Sequence, residues 1–252
     1  MHLPQKLRFY GVPIVDSIVI FFCFLGHLVC SIREVIARET SISWLNVFKV
    51  IYNSGVKLLI PIILISVLLA DTLVLSINNT LGPFNLQRKG FILAHNIFFY
   101  DALPFYINLI LSIQVALNLV NNGRMRLQKN AHQTILIEII PLLIGVNLCA
   151  IALYMYALSA VYLSTFLFFR YFLKADVHEF MLQLSTTITS YSVLYSMIKT
   201  FLFCTMISTI ACYYNYQVTV SYLPLRKAVS RIMTRSFIVL AVGSVYFKFL
   251  EY

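Results

Sequence analysis

Long apolar stretches, nearly free of charge and each close to the length that spans a bilayer, constrain this chain more than any other feature. A membrane-crossing helix needs about 20 mostly apolar residues, and several blocks supply them. A soluble fold would have to leave much of that surface in water, whereas lipid is itself an apolar solvent. Composition agrees: 60% of the residues are hydrophobic, 11% are charged and mean hydropathy is +0.86. Soluble domains carry roughly twice that charged fraction. The expected fold is an all-α integral membrane protein, because a lone helix satisfies its own backbone in lipid. We read residues 1–252 as one membrane domain, with an N-terminal elbow region at 1–45 and a core at 46–252.

The first apolar block, residues 12–32, contains Asp16 and is marginal as a span. An elbow or interfacial helix suits it as well as a crossing does. Residues 33–57 are polar and hold Trp44, a candidate interface anchor. Five further blocks follow, at 58–77, 90–120, 135–169, 191–214 and from 228 to the C-terminus. The fourth of the six is longer than one crossing requires, as a tilted helix would be.

Basic residues cluster between these blocks and decide the orientation. With the first block as an elbow and five crossings after it, 13 Lys and Arg fall on the side of the N-terminus and 5 on the other. Lys199 remains within the membrane. Such a bias marks the richer side as cytoplasmic. The net charge of +10 is therefore read as lipid-facing, not as a nucleic-acid footprint. Cys23, Cys30, Cys149, Cys204 and Cys212 all lie in apolar blocks, with neither zinc nor disulfide spacing, and read as small packing residues. No small-residue cleavage site follows the first block, so the N-terminus reads as retained. No phosphate-binding loop, nucleophile elbow or zinc-protease motif is present, and the five histidines are scattered, which argues against an enzyme.

Three charges lie inside apolar blocks: Asp71, Asp101 and Lys199. Each costs at least about 2.5 kcal/mol at membrane depth, so each needs a partner, a cavity or a polar pathway. Asp101 stands three residues before Pro104, where a helix begins or kinks. Lys199 has a stem long enough to snorkel. Tyr213, Tyr214 and Tyr216 suit an aromatic belt at headgroup level.

Several segments, taken in order, resemble the MlaE-type permeases, the membrane subunits of ABC lipid transporters that work with MCE proteins. Residues 51–57 are similar to that family's Tyr-x-x-Gly-Val stretch before its first span. Asp101-Ala102-Leu103-Pro104 stands where the family has Glu-x-Gly-Pro, and Gly123-Arg124-Met125-Arg126 resembles its Gly-x-Met-Arg coupling segment. Pro141-Leu142-Leu143 matches the start of the next span. Ile198-Lys199-Thr200-Phe201, with Cys212-Tyr213 after it, resembles a later helix, and residues 229–236 the start of the last. The order covers about residues 45–250.

The resemblance implies an elbow and five spans, a dimer with a second copy or a paralogue, and a lipid cavity open to the periplasmic side. It implies a cytoplasmic ABC ATPase docked through Gly123 to Arg126, an MCE-domain partner, and ATP bound in the ATPase with no cofactor in this chain. It places the protein in a bacterial inner membrane or an organelle's inner envelope membrane. Asp71, Asp101, Pro104 and Lys199 become candidate cavity residues. Departures exist: fourteen residues separate Arg126 from Pro141, without the family's Thr-Glu-Gln and Val-Asp-Pro elements. Tyr100 stands in place of the family's Arg, and Leu103 in place of its Gly. A non-transporting membrane scaffold and an ion- or proton-coupled carrier using Asp71, Asp101 and Lys199 are the rival readings.

Overall fold

A computed structural model of the chain describes residues 12–37, 44–81, 90, 96–122, 138–171, 190–219 and 223–250. Among the described residues there are helices and no strands. They are α1 (Val12–Ile36), α2 (Trp44–Ile51), α3 (Lys57–Leu81), α4 (Leu103–Asn122), α5 (Ile140–Tyr171), α6 (Ser190–Thr219) and α7 (Leu225–Leu250). A π-helical segment, Tyr52–Val56, joins α2 to α3, and another, Ile97–Ala102, leads into α4.

Five helices are long and apolar enough to cross a membrane: Trp44–Thr80, Ile97–Leu119, Ile140–Tyr171, Tyr191–Val218 and Leu225–Phe249. The apolar part of α1, Phe21–Ser31, falls short of a crossing, as the elbow reading expected. One boundary differs from the sequence reading. Residues 44–57 are helix and not loop, so the first span is 37 residues long. At about 1.5 Å per residue it measures about 55 Å, well beyond a hydrocarbon core of about 30 Å. About half of the surplus is α2, an amphipathic helix of about two turns that buries Val47 and leaves Trp44, Leu45 and Phe48 exposed.

Within the bundle α4, α5 and α6 are central. Helix α3 packs chiefly on α5 and α7 on α4 and α6, so these two form its flanks. The difference shows in burial: half of the α4 and α5 spans is buried, but 22% of the α3 and α7 spans. The flanking helices thus turn apolar side chains outward, including Ile60, Leu64 and Leu68 of α3 and Ile238, Val242 and Val245 of α7. In lipid such surface costs nothing to expose.

Helix α1 leans on α6 through aromatic contacts. Phe21 and Phe24 meet the Tyr213 ring edge-on at 5.6 and 5.7 Å, and Phe24 and His27 meet Tyr216. This corrects the belt reading: Tyr213, Tyr214 and Tyr216 are all buried, and they join helices where a belt would face headgroups. Cysteine usage is also divided. Cys149, Cys204 and Cys212 are buried and their thiols donate to the carbonyls of Ile51, Val146 and Ile139, whereas Cys23 and Cys30 are exposed.

The Tyr52–Val56 segment sits against α4 and α5 at close range. Gln114 Nε2 donates to the Asn53 carbonyl at 3.0 Å and Asn118 Nδ2 to Ser54 Oγ at 2.9 Å. A Cβ on Gly55 would lie 2.7 Å from Cys149 Sγ, so any other residue there would have to displace that sulfur. One turn earlier along α5, Gly145 lets Val50 approach in the same way. Two interhelical approaches thus fix α2 and the wide turn against α5.

Candidate functional site

The backbone before α4 prepares the site. In the π register a backbone N–H reaches the carbonyl five residues back, as Leu103 does to Phe98. The next residue in that register would serve Phe99, but it is Pro104, which has no N–H. The hydroxyl of Ser196 on α6 donates to the Phe99 carbonyl at 3.0 Å in its place. Four residues on, Asn108 Nδ2 donates to the Pro104 carbonyl at 2.8 Å and to the Thr200 carbonyl of α6 at 3.2 Å. The wide turn and its proline are thereby tied to α6 by buried polar groups, and each bond spares a carbonyl from being stranded in an apolar interior.

This arrangement sets Asp101 opposite α6 and α7. Lys199 Nζ lies 2.6 Å from Asp101 Oδ1, and Lys248 Nζ lies 2.9 Å from Asp101 Oδ2. Both carboxylate oxygens are therefore engaged, each by a different helix. The Lys199 side chain is 1% exposed, that of Asp101 19% and that of Lys248 44%. The Lys199 ammonium also lies 6.0 Å from the centroid of Phe203 and 5.8 Å from that of Phe247. Ring faces attract a cation, so the two phenylalanines add to the carboxylate in compensating a charge withdrawn from water. Two ammonium groups thus converge on one carboxylate, one of them buried and the other half-exposed.

Of the residues singled out in the sequence, Asp101, Pro104 and Lys199 come together here. Asp71 does not. It lies on α3 and accepts from Ser164 Oγ of α5 at 2.6 Å, on the opposite flank of the bundle. A relay through Asp71, Asp101 and Lys199 therefore has no continuous geometry. Gly123, Arg124, Met125 and Arg126 lie outside the described residues. Lys248, Phe203 and Phe247 were missed as site residues. The five-span topology held the clue, because it puts the start of α4, the start of α6 and the end of α7 at the same end of the bundle. Among the described residues no group of His, Cys, Asp and Glu is arranged to hold a metal ion.

Five helices long and apolar enough to span a bilayer, packed around a polar-stitched core with a charged cluster toward one end, define a multi-pass membrane protein. The family model of the permease MlaE matches residues 47–250, and the chain belongs to that permease family. It is accordingly a lipid-transport permease subunit. Among curated proteins none matches the chain significantly.

Proposed function

We propose that the chain is the membrane-spanning subunit of an ATP-driven phospholipid transporter, working as a dimer with a second copy or a paralogue. A cytoplasmic ABC ATPase supplies the energy and binds the ATP, so this chain holds no nucleotide and catalyses no reaction. Lipid passes between a bacterial inner membrane and an MCE-domain partner on the far side. Gly123 to Arg126 form the contact with the ATPase.

The observation that carries this reading is the Asp101–Lys199–Lys248 cluster. Ionisable groups held inside a helix bundle are expensive, and they mark a polar pathway that a charged lipid headgroup can use. The Lys199 pair anchors the cluster, and Lys248 carries it toward the surface. Support also comes from the family match, which spans the bundle from α2 to α7.

Affinity purification of the tagged full chain from its own membranes tests the assignment. An ABC ATPase and an MCE-domain protein should co-purify, with phospholipid carried through the preparation. Recovery of neither protein would support the scaffold reading instead.

A further inference from the structure

At the other end of the bundle, α7 starts at Pro224, whose carbonyl accepts from the backbone of Lys227 and Ala228. From there the helix buries Ala228, Ile232, Ser236 and Leu240, a stripe at every fourth residue. One residue earlier in each turn runs a second stripe, Lys227, Arg231 and Arg235, and all three are exposed. The cations therefore border the helix contact and do not point away from it. The Arg235 guanidinium lies 5.4 Å from the centroid of Tyr214, and both arginines act electrostatically on Tyr213 and Tyr214. Tyr213 in turn packs edge-on against Tyr214 at 5.3 Å and against Phe21 of α1 at 5.6 Å. The result is a row from α1 across α6 to α7 with an aromatic floor and a cationic rim. Among the described residues no carboxylate pairs with Lys227, Arg231 or Arg235.

Depth decides what this rim faces. Helix α7 has 26 residues, about 39 Å at about 1.5 Å each, against a hydrocarbon core of about 30 Å. With its apolar C-terminal end in the membrane, the first turns stand in the headgroup layer and Arg235 reaches the acyl boundary. A soluble partner protein meets Lys227 first and reaches Arg235 last, whereas a lipid phosphate meets the whole stripe. The positive end of the helix dipole adds to the same field.

We propose that Lys227, Arg231 and Arg235, floored by Tyr213, Tyr214 and Phe21, form a binding site for the phosphate headgroup of an anionic phospholipid in the cytoplasmic leaflet. This site lies at the opposite end of the bundle from the Asp101 cluster and does not depend on the transport assignment. The guanidinium groups grip the phosphate while an acyl chain lies along the exposed Phe21 and Ile238.

The full chain, purified with whatever subunits accompany it, is placed in nanodiscs of phosphatidylcholine alone or mixed with phosphatidylglycerol, and retained lipid is measured by native mass spectrometry. Wild type should retain phosphatidylglycerol selectively. Arg231→Gln combined with Arg235→Gln should weaken that retention about tenfold or more, given roughly tenfold-scale gains from basic residues at an anionic surface. Lys227→Gln, in the exposed first turn where folding is not at stake, should weaken it by a smaller factor. Lys49→Gln combined with Arg226→Gln removes two exposed cations outside the stripe and should leave retention unchanged. Equal losses in that control would reduce the effect to general surface charge and overturn the site. Displacement of the lipid by inorganic phosphate alone would overturn the assignment to a lipid. Should the double variant fail to fold, unchanged retention in Lys227→Gln and in Arg231→Gln alone would equally refute it.

Discussion

Lys199 is the side chain that the rest of the site exists to satisfy. Among the described residues it is the largest charged side chain fully removed from solvent, and Asp101 is its counter-ion. Removing one partner of a buried pair strands the other, at a cost of about 3–5 kcal/mol. Asp101→Asn should lower thermal stability in nanodiscs by an amount of that order. Asp101→Asn with Lys199→Met should be more stable than Asp101→Asn alone, since the stranded charge is then gone. A double variant no better than the single one would mean that the pair does not hold α4 to α6. Lys248→Gln should cost less, about 1 kcal/mol or below, because its side chain remains partly solvated. Asp71→Asn keeps an acceptor for Ser164, so the melting temperature should be close to that of wild type; a large loss would show that the carboxylate charge itself is needed. Asp101 and Lys199 were legible in the sequence because charges are scarce in apolar blocks. Their pairing was not, since 98 positions separate them. Lys248 was hidden for a different reason: a lysine near a helix end is what snorkelling predicts, and nothing local distinguishes a bridge to Asp101 from a reach to water.

Helices show the same division between what periodicity reveals and what packing decides. Each of the five spans falls on an apolar block, because length and hydropathy are the physical requirements for crossing. Helix α2 was not visible as part of its span. Lys49, Asn53 and Lys57 give residues 44–57 the composition of a loop, while the helix is held by Val47 and Val50 against α5. Neither π segment leaves a mark in hydropathy, and the tyrosines at the end of α6 became inward-facing only once α1 was packed on them. The Tyr52–Val56 turn yields a sharp test. Gly55→Ala places a methyl group 2.7 Å from Cys149 Sγ and should destabilise the protein by about 1–3 kcal/mol, as overpacking does. Cys149→Ala removes the obstructing sulfur and should restore part of that loss when combined with Gly55→Ala. Additive losses in a double-mutant cycle of melting temperatures would place the strain elsewhere.

At the scale of the whole molecule, the described residues place a charge cluster toward each end of the bundle. One end carries the Asp101–Lys199–Lys248 cluster, and the other carries the Lys227–Arg231–Arg235 stripe. Among the described residues, polar groups inside the bundle such as Asn108, Ser196 and Thr200 are engaged with helix carbonyls, and Asp71 accepts from Ser164. The flanking helices α3 and α7 present broad apolar faces suited to lipid and to the second permease subunit proposed above. That distribution suits a protein that handles lipids at both leaflets, with energy supplied from outside the chain. The direct measurement is transfer of fluorescent phospholipid by the co-purified complex in proteoliposomes, with and without ATP. Transfer that requires ATP and falls in Asp101→Asn, with the complex still assembled, is the expected result. An assembled complex that hydrolyses ATP but moves no phospholipid would contradict the assignment of this chain as the lipid-conducting subunit.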